Sequence, residues 1–151
     1  MKMLGLGLYW NDLKVGDQFR TIGRTVTEAD IVNFVGVTGM TEVLFTDLEY
    51  LREHAPNMGR VAPGALVYSF AEGLLVHATM QHTGLAFLNM TLDIKGPTRA
   101  GDTIHVEFEV TEVSATSKGR GKVRTMNKVV NQNGETVLTY NPLRIMAGRP
   151  E

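Results

Sequence analysis

Glu72 is the one acid in a long apolar stretch from Gly64 to Met80, and a carboxylate so placed is a candidate for base chemistry. Two surroundings fit it. Burial among apolar neighbours would raise its pKa toward neutrality; a solvent-facing strip shared with Ser69, three residues earlier, would leave it ordinary. Glu42, in a loop after Gly39, is a second candidate base, and an exposed loop carboxylate is its plainer reading. Glu49 and His54 preserve an acid-x4-His spacing, but five residues on a helix subtend about 500° and leave the two side chains about 140° apart. They therefore read as surface groups. His77 and His82 read as core or cap histidines. His105 alternates out of phase with Ile104, Val106 and Phe108 and is expected to be exposed. No His, Asp and Glu cluster has ligand spacing, so no metal site is expected. With no cysteine, thiolate chemistry and disulfides are excluded.

The elements that must position these groups follow from periodicity and punctuation. Val15-Gly16-Asp17-Gln18-Phe19 reads as a turn feeding an extended segment. Thr27 is a helix N-cap with Glu28 and Asp30 in the positive first turn. Ile31, Phe34 and Val35 recur at helical spacing, and Gly36 or Gly39 ends the run. Thr46 or Asp47 caps a short helix, Leu48 to Ala55, stopped by Pro56. Gly64 to Met80 is the longest helix, and its apolar residues lie on nearly every face, which predicts burial. The second half reads as strands: Leu85 to Ile94, Thr103 to Val113, Gly121 to Asn131, then the turn Asn133-Gly134 and Thr136 to Ile145. Pro142 demotes part of the last strand to an edge or a bulge. A buried helix followed by antiparallel strands predicts an α+β fold.

Composition narrows the function classes. The chain has 151 residues, 43% hydrophobic and 21% charged, which suits one globular domain over 1–151. A net charge of -1 gives no basic footprint for nucleic acid. Lys118 to Arg124 is a local basic run and reads as a solvated hairpin tip. The apolar opening residues are broken by Gly5 and Gly7, too short for a signal peptide or membrane span, and a cytoplasmic protein is expected.

Two segments carry a resemblance. Thr38-Gly39-Met40-Thr41-Glu42-Val43-Leu44-Phe45-Thr46-Asp47, followed by Gly59-Arg60-Val61-Ala62-Pro63-Gly64, resembles the active-site stretch of MaoC-like hotdog dehydratases. That family's first segment reads Thr-Gly-Asp-x-Asn-Pro-x-His-x-Asp. Thr38, Gly39, Thr46 and Asp47 match it. Met40 stands at the family's Asp position, Phe45 at its His, Glu42 at its Asn and Val43 at its Pro.

The resemblance implies a single hotdog domain, an antiparallel sheet wrapped around a long central helix. It implies acyl-CoA chemistry of the enoyl-CoA hydratase or dehydratase class in a homodimer, or an oligomer built from dimers. The coenzyme A thioester would be substrate or ligand, with an acyl-carrier thioester as the alternative and no further cofactor. It also implies that the Gly64 backbone N–H binds the thioester carbonyl, as a helix N-terminus suits. Phe45, Leu66 and Phe70 would line the acyl pocket. Met40 and Phe45 cannot exchange protons, and acid/base groups contribute about 10²–10⁴-fold, so weak hydration by the usual route is expected. Some hotdog thioesterases place an acid two turns after such a glycine, where this chain has Glu72. A non-catalytic binder of acyl-CoA or acyl-carrier thioesters, or a partner subunit of an active hotdog protein, is the third possibility.

Overall fold

Thr27 opens the first helix, α1 (Glu28–Thr38), with a reciprocal cap. Its hydroxyl accepts from the Asp30 N–H at 3.1 Å, and the Asp30 carboxylate accepts from the Thr27 N–H at 2.8 Å. The computed structural model describes residues 1–151. Of the two glycines that could stop α1, Gly39 does so, in the left-handed region at φ 73°. A four-residue turn of helix, α2 (Val43–Thr46), follows within the loop that the sequence left without structure. Asp47 then caps α3 (Leu48–His54), accepting from the Tyr50 N–H at 3.0 Å. The longest helix, α4, runs Gly64–Thr79.

The strands form one antiparallel sheet. β1 (Gln18–Arg20) and β2 (Arg24–Thr25) lie along β5 (Thr103–Ala115), and β5 lies along β6 (Gly121–Val130). The two halves of β6 have different neighbours: Asn127–Val130 pairs with β7 (Thr136–Tyr140), and Gly121–Arg124 pairs with β8 (Leu143–Met146). Beyond them lie β4 (Leu92–Ile94) on β7 and β3 (Gly84–Asn89) on β8, each with an unpaired outer edge. The sheet packs on α4, whose Leu66, Val67, Ala71 and Leu75 share one core with Ile104, Val106, Phe108, Val129, Leu138 and Tyr140. The expectation that α4 is buried all round needs correcting. Ala65, Ser69, Gly73 and Val76 are exposed, because the sheet covers only the opposite face.

Pro142 breaks the last strand between β7 and β8, in an interior position rather than at an edge. The break is shared by its neighbours. Thr111 is bulged out of the β5–β6 ladder, Thr125 and Met126 separate the two partners of β6, and Met90-Thr91 separates β3 from β4. A line of irregular hydrogen bonds stitches this crease. Thr111 Oγ1 donates to Arg124 O, Thr125 N to Pro142 O, Asn141 N to Thr91 O, and Thr91 N to Asn141 Oδ1 at 2.6 Å.

The N-terminal segment straps this body. Leu8 N donates to Thr79 O at the end of α4. The Trp10 indole N–H donates to Gly119 O at 2.9 Å, and its ring lies so close on Gly121 that a Cβ there would come within 2.3 Å of it. No helix is long and apolar enough to cross a membrane.

Candidate functional site

Pro63 caps α4 without a side-chain bond. The N–H groups of Leu66 and Val67 both return to Pro63 O, at 3.0 and 3.2 Å, while those of Gly64 and Ala65 have no acceptor. Two free amides at a helix start form a small site of positive potential. The chain leading into it is pinned: Ala62 N donates to Thr98 O and Ala100 N to Arg60 O, around the Val61–Arg99 bridge. A Cβ on Gly64 would stand 3.0 Å from Ile94 Cδ1, so the Ile94 side chain packs closely over the glycine, which has no Cβ to keep it off.

Met40 follows the α1 cap and is 37% exposed, and Phe45 in α2 packs partly against the core. Neither can carry a proton. Glu42 is exposed and makes no side-chain bond. Its carbonyl accepts from Phe45 N–H and the Thr46 hydroxyl, so its place is that of a backbone cap for α2.

Glu72 is neither an isolated buried acid nor part of an exposed strip with Ser69. One oxygen, Oε1, accepts from Tyr140 OH at 2.9 Å and from the Arg144 guanidinium, joining α4 to β7 and β8. The side chains of Arg144 and Glu72 are only 10% and 17% exposed. The Tyr68 ring meets Tyr140 edge-on at 5.2 Å, and Arg144 lies 4.8 Å over the Phe87 ring. Burial, then the Glu72 charge, raises both tyrosine hydroxyls, and that of Tyr140 goes well above the usual phenol range. They stay protonated, hence donors and not bases. Sequence reasoning missed Arg144 and Tyr140. The available signal was complementary: a lone arginine between Leu143 and Ile145, and a lone acid in an apolar helix.

The other candidates separate. Leu66 is fully buried in the core and lines no opening. Phe70 sits on the flank of α4 away from Glu72, about 160° around the axis, with the Arg24 guanidinium 3.6 Å over its ring. Glu49 pairs with Arg52, and the His54 Nδ1–H donates to Tyr50 O while its ring stacks on that of Tyr50, as expected of surface groups. His77 and His82 are exposed, so neither is a core histidine. His105 departs from expectation: its side chain is 14% exposed, 3.6 Å from Glu107. Lys118 and Arg120 are exposed at the hairpin tip, whereas Arg124 is engaged by Asn141 O and Asn89 Oδ1. A surface cavity of about 440 Å³ lies on the outer face of the sheet among Arg20, Glu107, Glu109 and Lys128, away from α4.

Residues 11–133 match the family described as MaoC like domain. The chain is similar to a 3-hydroxybutyryl-CoA dehydratase of Methylorubrum extorquens, 26% identical over 70% of this chain and 66% of that protein, just under two thirds of its length. It is 28% identical to an (R)-specific enoyl-CoA hydratase of Rhodospirillum rubrum, over 86% of this chain and 90% of the relative. A solved Mycobacterium tuberculosis protein described as a double hotdog fold superposes with a TM-score of 0.85 at 21% identity, covering 96% of this chain and 46% of that one. The sheet around α4 is thus a hotdog fold.

Proposed function

The chain belongs to the MaoC-like domain family, and from that premise we propose that it handles acyl-CoA thioesters of the enoyl-CoA hydratase and dehydratase class at the N-terminus of α4. One observation carries this reading: the acceptor-free amides of Gly64 and Ala65, lying beside Ile94. A thioester carbonyl seated there would accept from the Gly64 N–H, and the helix terminus would stabilise charge gathering on its oxygen. Hydration of the enoyl bond further needs a base for water and an acid for the α-carbon. Met40 and Phe45 provide neither, and the protonated Tyr68 and Tyr140 provide no base. The site polarises a carbonyl and binds an acyl group, and it hydrates slowly at best.

Met40 and Phe45 favour a second reading in which the site only binds acyl-CoA or acyl-carrier thioesters, alone or beside an active subunit. A thioesterase role draws no support from Glu72, whose carboxylate is held by Tyr140 and Arg144. We place a second copy of the chain, as a homodimer or oligomer of dimers, against the unpaired edge of β3. Its exposed Leu85, Phe87 and Leu88 and the bare face of α4 support that. A cytoplasmic setting belongs to the same proposal.

The test follows enoyl absorbance and free thiol together on crotonyl-CoA and butyryl-CoA. Crotonyl-CoA is expected to bind with little loss of absorbance and no thiol release. Met40→Asp with Phe45→His is expected to raise hydration about 10²-fold or more. Rapid hydration by the unaltered protein would sink the proposal, and thiol release abolished by Glu72→Gln would move it to a thioesterase.

A further inference from the structure

Residues 1–6 lie outside the packed body, and four of them are large and apolar. Met1, Met3, Leu4 and Leu6 are all exposed, Leu4 at 85%. A contiguous apolar stretch in water marks a contact surface, and its own subunit supplies no cover. The strap fixes where the stretch emerges. Trp10 N–H donates to Ala147 O just past β8, Leu8 N–H to Thr79 O, and Gly7 N–H to Gln81 O just ahead of β3. Followed backwards from Trp10, the chain crosses the end of the sheet from the β5–β6 tip, past β8, to the side where the edge of β3 is open. Gly7 locks that crossing: a Cβ there would stand 2.2 Å from Thr79 O and 2.6 Å from Thr83 Oγ1. Residues 1–6 therefore leave the subunit at its open edge.

A second copy at β3 sets what lies ahead of them. A two-fold axis normal to the sheet keeps both α4 helices on one face, where their bare sides meet, and pairs the two β3 strands antiparallel. Gly84 of one copy then stands near Asn89 of the partner subunit. Within each subunit the Gly84 end of β3 follows the C-terminus of α4, whereas Ile94 of β4 packs over Gly64 at its N-terminus. Residues 1–6 of one copy consequently emerge at the end of the dimer that carries the partner's Gly64. Ile94 of the partner subunit is five residues past the partner's Asn89, at most about 17 Å of extended chain, and residues 1–6 span up to about 20 Å. Their own Gly64 lies at the far end of the 16-residue α4, about 24 Å away and out of reach.

We infer that residues 1–6 of each copy form an arm that closes over the partner's Gly64 amides and seals the seated thioester from water. This rests on the proposed carbonyl seat and on the second copy at β3. Met3, Leu4 and Leu6 lay apolar area over the acyl group, and exclusion of water strengthens the bond from the Gly64 N–H to the carbonyl. Each site is then complete only in the dimer.

The chain has no cysteine, so two introduced thiols report the contact without background. Met3→Cys/Ile94→Cys, oxidised with copper phenanthroline and run on a non-reducing gel, is expected to give a covalent dimer, while each single variant runs as a monomer. A disulfide within one chain, or none, overturns the inference and leaves the carbonyl seat standing, since no thioester takes part. Isothermal titration with butyryl-CoA gives the second readout. Met3→Ser/Leu4→Ser/Leu6→Ser alters only residues exposed in their own subunit and is expected to stay folded and bind about tenfold more weakly. A mixed dimer of that chain with a Gly64→Pro chain, purified through two different tags, is expected to recover one site of parental affinity. Its intact arm and its intact Gly64 sit on facing subunits. Unchanged binding by the triple variant, or no recovery in the mixed dimer, overturns the inference. Failure of the unaltered protein to bind butyryl-CoA overturns the seat and the arm's sealing role together.

Discussion

Gly64 presents a donor and a space, and the two can be separated. Gly64→Pro removes the N–H at the first helical position, where proline is tolerated. Pro63 already has the extended φ -54°, ψ 140° that a following proline demands. Gly64→Ala keeps the N–H and adds a methyl near Ile94 Cδ1, the mobile end of an exposed side chain. Both variants are expected to unfold within about 1 kcal/mol of the parent in urea. If the amide is the donor, the proline variant loses thioester affinity about 10²-fold and the alanine variant much less; equal loss in both would assign the effect to space. At this scale the sequence was legible in part. Gly64 could be placed at a helix start because Pro63 precedes it, and Met40 and Phe45 could be seen to lack protons. The partners of Glu72 could not, because Tyr140 and Arg144 lie 68 and 72 residues away and only the closed sheet brings them to α4.

Helix α1 depends on its first turn. The Thr27 N–H above all holds the Asp30 carboxyl below its ordinary value of 3.8; burial, second in size, opposes it, and the Thr27 hydroxyl and Arg24 add to the lowering. A carboxyl whose folded pKa is depressed lends stability above its unfolded pKa and loses it as pH falls through the folded value. Urea midpoints are therefore expected to fall below about pH 4, and more shallowly in Asp30→Asn. Thr27→Ala is expected to cost about 1 kcal/mol at neutral pH. Caps of this sort are local, which is why Thr27, Gly39 and Asp47 were legible as boundaries. The missing element, α2, is a turn held by Glu42 O accepting from Phe45 and Thr46. Its four residues are too few for periodicity to register. The halving of the strands at Met90 and Pro142 was half legible: proline announced one break, and the break at Met90-Thr91 follows from pairing with it.

Across the whole molecule, Trp10 is the sole tryptophan, and it joins the N-terminal strap to the β5–β6 hairpin tip. Its emission is expected to change in step with far-ultraviolet circular dichroism on thermal unfolding if strap and sheet melt as one unit. Gly121→Ala, which drives a methyl into the indole, should separate the two transitions or lower both. The α+β class was legible because a long apolar helix followed by antiparallel strands has few ways to bury itself, and the hotdog arrangement was legible through the resemblance carried by Thr38 to Asp47 and Gly59 to Gly64. Which face of α4 stays bare was not, since helical apolarity on every side cannot say which side the sheet takes. The crease through Thr111, Thr125, Asn141 and Met90 divides that sheet into two panels that share β6. The angle between the panels sets how tightly they enclose α4, so a change of one residue on that line could alter the width of the enclosure while both panels keep their own pairing intact.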